Sequence, residues 1–230
     1  MYKEFLIIFL IIIVHEMGHF LMAKYYKWNI DKIYIYPFGG CVKFNEDLNR
    51  PLKEELLIMI SGPLSQIIFY ILIVFLYRND IVALKTYLLF KNYHYSMLIF
   101  NLLPFLPLDG GKLFNIICNY FFPYKKSFRI SVFISYITFI LAFIYILFYY
   151  RNINLLSMTI FLLSKVVIES KKIDILYNRL LLERYLKKYS FSKTKVIKNK
   201  DNMYKDYKHV IKNKNKYITE KEYLKERFRI

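Results

Sequence analysis

Only two cysteines, Cys41 and Cys118, occur in the 230 residues, and their spacing suggests neither a disulfide nor a metal site. Packing is the role left to them. The apolar run at the N-terminus lacks an A-x-A-like cleavage site, so it reads as a retained helix rather than a secretory signal. No nucleic-acid-binding motif occurs, which argues against a nucleic-acid partner for a chain this basic. Acidic residues are scarce, with 17 Asp+Glu against 35 Lys+Arg and a net charge of +18. Apolar residues are abundant: 57% of the chain is hydrophobic and 20% aromatic. Such extremes rarely share one soluble domain, but they fit apolar spans separated by basic loops.

The apolar segments fall at about residues 5–26, 56–77, 86–104, 129–149 and 153–168, the first four near the length that crosses a bilayer and the last short, so that it must extend or tilt. This predicts an all-α polytopic membrane protein with about five transmembrane helices over residues 1–168, followed by a basic cytosolic tail over 169–230. The stretch 30–45 differs. Its β-branched and aromatic alternation around Pro37 and Gly39-Gly40 suggests a short membrane-associated β-hairpin, with an ordinary loop as the alternative. A hairpin there offers an edge to which an extended peptide can add as a strand. Loops 27–55 and 105–129 and the tail carry most of the Lys and Arg, which places them in the cytosol, the C-terminus inside and the N-terminus outside.

Inside the first apolar run lies His15-Glu16-Met17-Gly18-His19. Histidines four apart share a helical face and can clamp one zinc ion, and the glutamate between them can act as general base. Ionisable residues near the bilayer centre cost about 2.5–3.5 kcal/mol each, so they rarely stand there without a role. The bland alternative is a polar patch satisfied by a neighbouring helix.

A second constellation runs from Asn101 through Pro104 and Pro107 to Asp109-Gly110-Gly111. Two prolines three apart stop a helix, and the glycine pair permits a turn into the next one, expected to begin near Lys112. A lone carboxylate is thereby delivered at membrane depth. Helix capping is the alternative role for Asp109. Against it, a catalytic zinc needs three protein ligands, His15 and His19 supply two, and Asp109 is the natural third.

These two motifs resemble the site-2 protease family of intramembrane zinc metalloproteases. The stretches Pro37-FGGCVKF, Asn49-RPLKEE-Leu56, Ser61-GPL and Leu180-LLERYLKK-Tyr189 are similar to its sporulation branch, which processes the precursor of sigma-K in endospore-forming bacteria. The resemblance implies one Zn2+ per chain held by His15, His19 and Asp109, with Glu16 as the base. It implies that Asn101, Pro104 and Pro107 form the unwound segment near the substrate, and that Gly62-Pro63 is a turn or close helix contact. It also implies a pro-sigma-K-like substrate, membrane partners that inhibit the enzyme, and a place in the mother-cell membrane around the forespore. An anti-sigma factor is the alternative substrate, though no segment is long enough for the PDZ insertion such proteases often carry. A catalytically silent scaffold would have no reason to keep both metal motifs.

Two departures from the branch are expected. Only 14 residues precede His15, so an additional N-terminal span common in the branch is absent from this sequence. The tail is short for the nucleotide-sensing CBS module that usually follows, although 193–230 could form a reduced βαβα version with its first helix over 203–213, which leaves ATP binding open. Of the remaining histidines, His94 reads as an interfacial residue and His209 as solvent-exposed in the charged tail.

Overall fold

Helix α1 (Tyr2–Tyr25) is apolar on every side, the composition of a helix surrounded by protein or lipid rather than lying on a water-facing surface. Phe5, Leu6, Leu10 and Leu21 are exposed, while Ile7, Ile11 and Ile12 are buried. The helix stops at Lys27, whose φ of 55° is left-handed, and Trp28 N–H reaches back to Ala23 O at 2.9 Å. That is a Schellman-type ending. The structure is a computed structural model and describes residues 2–36, 39–44, 46–150, 153–199, 201–213 and 216–228.

The chain divides into two units, Met1–Glu46 with Lys53–Leu103, and Asp47–Leu52 with Pro104–Ile230. In the first, α1 is followed by β1 (Ile30–Tyr36) and β2 (Gly39–Phe44), then α2 (Leu52–Arg78) and α3 (Leu84–Leu102). The strands pair antiparallel from Ile30↔Phe44 to Tyr36↔Gly39, so the expected hairpin forms; Pro37 and Phe38, its turn, and Asn45 lie outside the described residues. Ile7, Ile11 and Phe90 form the core, with Phe69, Tyr70 and Ile73 packed against them.

The second unit contains α4 (Asp109–Phe121), α5 (Tyr124–Tyr145) continued by a π-helical turn at Ile146–Tyr150, α6 (Ile153–Lys171) and α7 (Ile173–Leu186). Strands β3 (Lys193–Ile197), β4 (Tyr207–Asn213) and β5 (Lys216–Thr219) and helix α8 (Glu220–Arg227) complete it. Strand β4 pairs parallel with β3 and antiparallel with β5. The sequence suggested a helix over 203–213, but from 207 onward the chain is a strand. His209 and Ile211 are buried while Lys208 and Lys212 are exposed, a period of two that a helix cannot keep. His209 is therefore interior, with no exposed surface, rather than solvated.

The five apolar segments fall largely on α1, α2, α3, α5 and α6. Among the described residues three helices are long and apolar enough to cross a membrane: Tyr2–Tyr25, Leu52–Arg78 and Tyr124–Phe148. Helix α3 interrupts its apolar residues with Lys85, Lys91, Asn92, His94 and Asn101.

Inside the second unit Arg184 gathers the chain around itself. Its Nε donates to Asn49 Oδ1 (2.6 Å), Nη1 to Tyr207 O (3.1 Å) and Glu220 Oε1 (3.0 Å), and Nη2 to Tyr204 O (2.9 Å) and Lys205 O. Five N–H groups meet five acceptors, the full capacity of a guanidinium. Asn49 in turn donates to Leu180 O at 2.9 Å, and Leu48 N–H to Glu183 Oε2 at 2.7 Å. The segment Asp47–Leu52 is thus stitched to α7, and two of the stretches behind the family resemblance prove to be bonded to each other.

Candidate metal centre

His15, Glu16 and His19 all lie on α1 and are buried, with 1%, 8% and 4% of their surfaces exposed. A four-residue spacing on a 3.6-residue helix sets the two rings one above the other, with centroids 4.9 Å apart. Helix α2 comes close enough to fix both. Ser61 Oγ donates to Gly18 O and Ser65 Oγ to Val14 O, each at 2.9 Å. Glycines permit the approach: a Cβ on Gly18 would overlap the Ser61 carbonyl, and one on Gly62 would overlap the His19 ring. Gly62 therefore makes the close helix contact expected of it. Pro63 supplies no N–H for the Met59 carbonyl a turn earlier. The neighbouring carbonyl, Ile58 O, is the one that faces His19.

Those contacts decide which ring nitrogens carry protons. His19 Nδ1 lies 2.7 Å from Ile58 O, which can only accept, so Nδ1 donates. His15 Nδ1 lies 3.1 Å from Gln66 Oε1 and donates likewise. In a neutral imidazole this leaves the lone pair on Nε2. The two Nε2 atoms are 3.2 Å apart. Two lone pairs cannot bond each other, but together they make a ligand set for one cation. Imidazole nitrogens whose opposite N–H is anchored on an acceptor are the arrangement that zinc takes, so the residues present fit that metal.

Gln66 was not singled out from the sequence. It has no exposed surface, and as an isolated amide in an apolar helix it was the signal available. His94, read as interfacial, is 1% exposed; it accepts from Gln66 through its main-chain oxygen at 3.0 Å and stacks on Tyr70 with centroids 4.4 Å apart.

The other candidate residues are held as follows. Asn101 is half-buried on the last turn of α3. Pro104 and Pro107 bracket a loop whose Phe105 and Leu106 are buried, and Ser135 on α5 accepts from Leu106 N–H at 2.9 Å. The helix after the loop starts at Asp109 itself, three residues before the expected position. Gly111 serves close packing rather than a turn, because a Cβ there would overlap the Phe105–Leu106 peptide. The capping position belongs to Leu108, which makes no side-chain cap, so Asp109 is not the N-cap. Asp109 pairs with Lys112 at 3.2 Å with 13% of its side chain exposed, and it stands in the first turn, where the helix dipole favours a carboxylate.

A family model takes in the first of these motifs, His15 to His19. Residues 4–97 match the model of peptidase family M50. The chain is 35% identical over 184 residues to stage IV sporulation protein FB of Bacillus subtilis (strain 168), covering 80% of this chain and 64% of that one. It is 32% identical over 130 residues to a zinc metalloprotease of Methanocaldococcus jannaschii, covering 55% of this chain and 38% of the other. It thus spans less than two thirds of each of these relatives. Among solved structures it is similar to the site-2 protease from Methanocaldococcus jannaschii, with a TM-score of 0.58 and 27% identity over 72% of this chain and 76% of that one.

Proposed function

We propose that this chain, whose residues 4–97 match the model of peptidase family M50, is an intramembrane zinc metalloendopeptidase that removes the pro-sequence of a sporulation sigma-K-type precursor. The observation that carries the chemistry is the pair of Nε2 lone pairs converging at 3.2 Å beside a buried glutamate. His15 and His19 would hold the metal through Nε2, with Asp109 as the third ligand, since a catalytic zinc takes three protein ligands. When bound, zinc lowers the pKa of water towards neutrality and polarises the scissile carbonyl. Glu16 takes a proton from the attacking water and hands it to the leaving amine nitrogen. Asn101 donates to the substrate main chain, and Pro104 and Pro107 keep the segment before Asp109 out of a helix. A helical substrate has its carbonyls tied to i+4 N–H groups and must unwind before attack. The edge of the β1–β2 hairpin can take the unwound strand.

The sporulation substrate is supported by the likeness to stage IV sporulation protein FB and by the stretches at 49–56 and 180–189. In this reading the protein sits in the mother-cell membrane around the forespore, held inactive by membrane partners. Five spans put its C-terminus in the cytosol, where the precursor is made. Co-expression with a candidate precursor tests the proposal. Wild type should trim the precursor and Glu16→Gln should leave it intact. Normal trimming by Glu16→Gln would overturn the mechanism.

A further inference from the structure

We infer that Gln66 is a positioning residue for the metal centre: anchored on the main chain of His94, it dictates that His15 offers Nε2 rather than Nδ1 to a metal. The inference rests on the zinc reading above and adds a device to it.

His94 O can accept a hydrogen bond but never donate one. Gln66 Nε2 lies 3.0 Å from it and 3.4 Å from His94 Nδ1, so the amide nitrogen must face α3. The amide oxygen is then committed to α1, where it meets His15 Nδ1 at 3.1 Å. An acceptor at that place requires a proton on Nδ1, and a neutral ring has only one N–H to give. His94 is itself immobilised, buried and stacked on Tyr70. A main-chain oxygen of α3 thus sets, through one amide of α2, the tautomer of a ligand on α1.

This orientation blocks a competing state. If His15 carried its proton on Nε2, it would donate to His19 Nε2, 3.2 Å away, and the pair would close on itself. A metal would have to displace that proton. For His19 the same control comes from Ile58 O, a main-chain group that no substitution removes. Gln66 is the side chain through which the device can be broken.

The test uses the full chain in detergent, labelled with 15N-histidine. In the chelator-treated wild type, two-bond 1H–15N correlations should show His15 protonated at Nδ1. Gln66→Leu should move the proton to Nε2 and lower zinc affinity, measured by chelator competition, by about 10–100-fold. Gln66→Glu should preserve both, because a neutral carboxylic acid can donate to His94 O and accept from His15. A His15 protonated at Nε2 in the wild type, or at Nδ1 in Gln66→Leu, overturns the inference. Should Gln66→Leu fail to fold, the wild-type and Gln66→Glu spectra decide. Nδ1 protonation in a wild type that takes up no zinc would refute the protease reading and leave the assignment of Gln66 standing.

Discussion

In the second unit, Arg184 meets five acceptors with five N–H groups, and Glu220 closes the circuit by accepting from His209 N–H (2.7 Å) and His209 Nδ1 (3.0 Å). Tyr204 N–H donates to His209 Nε2 at 2.9 Å, which fixes that ring as the neutral Nδ1–H form. In the first unit, His15 and His19 are held just as firmly by Gln66 and Ile58, yet turn two lone pairs towards each other. Both regions are buried and polar, and both use histidine with its tautomer fixed. One closes Arg184 on five acceptors, with Nη1 also 3.3 Å from His209 Nδ1, and a buried network of this kind holds a fold. The other brings the Nε2 atoms of two imidazoles to 3.2 Å, the arrangement on which the proposed metal site rests. Burial and hydrogen bonding are common to the two regions; what meets at the histidines differs.

The largest break should come at Arg184. Arg184→Ala leaves Glu220, Asn49 and three main-chain carbonyls facing an unfilled space, a loss of about 3–5 kcal/mol. The tail over 187–228 should become protease-sensitive in the full chain. Zinc content should stay near wild type, and its loss would mean that the two networks are not independent. Gly62→Ala should act the other way round. A methyl there overlaps the His19 ring, a strain of about 1–3 kcal/mol. It should depress zinc affinity while the tail stays protease-resistant. Wild-type affinity in this variant would remove Gly62 from the metal centre.

A gentler break is pH. Burial alone would raise the Glu220 carboxyl, but the bond from His209 and the charge of Arg184 outweigh it and hold the group below its ordinary 4.5. Burial pushes His209 below its ordinary 6.5, against the pull of Glu220. Both are depressed in the folded state. Each therefore contributes stability above its unfolded value that is lost as pH falls through its folded one. Asp206, raised by burial, opposes them: its contribution is lost as pH rises. The tail should lose stability from about pH 6.5 downwards, first through His209 and then through Glu220. Followed by thermal unfolding, Glu220→Gln should flatten the lower part of that slope. An unchanged slope would place the acid sensitivity elsewhere.

The sequence singled out His15, Glu16, His19 and Asp109 because each belongs to a short motif whose spacing suggests a chemistry, and the structure buries the first three together on α1. It also marked the β1–β2 hairpin by alternation. Gln66 was hidden because its partners, His15 and His94, stand 51 and 28 residues away, and one amide in an apolar run does not name them. Strand β4 and the buried His209 were hidden for a related reason. Lys, Tyr and His in 203–213 suit a solvated helix until β3 and β5 supply main-chain partners on both sides. Arg184 looked like one charge in a basic tail, and nothing local showed that its acceptors would come from Asn49 and from residues 204–220.

Whether His15 and His19 bind a metal through their converging Nε2 atoms is decided by metal content. Zinc should be measured by mass spectrometry on the purified full chain, on His15→Ala/His19→Ala, on Asp109→Asn and on Glu16→Gln. One zinc per chain is predicted for wild type and Glu16→Gln, none for the double histidine variant, and a reduced amount for Asp109→Asn, whose amide is a poorer ligand than a carboxylate. Equal zinc in wild type and in the double histidine variant would contradict the claim.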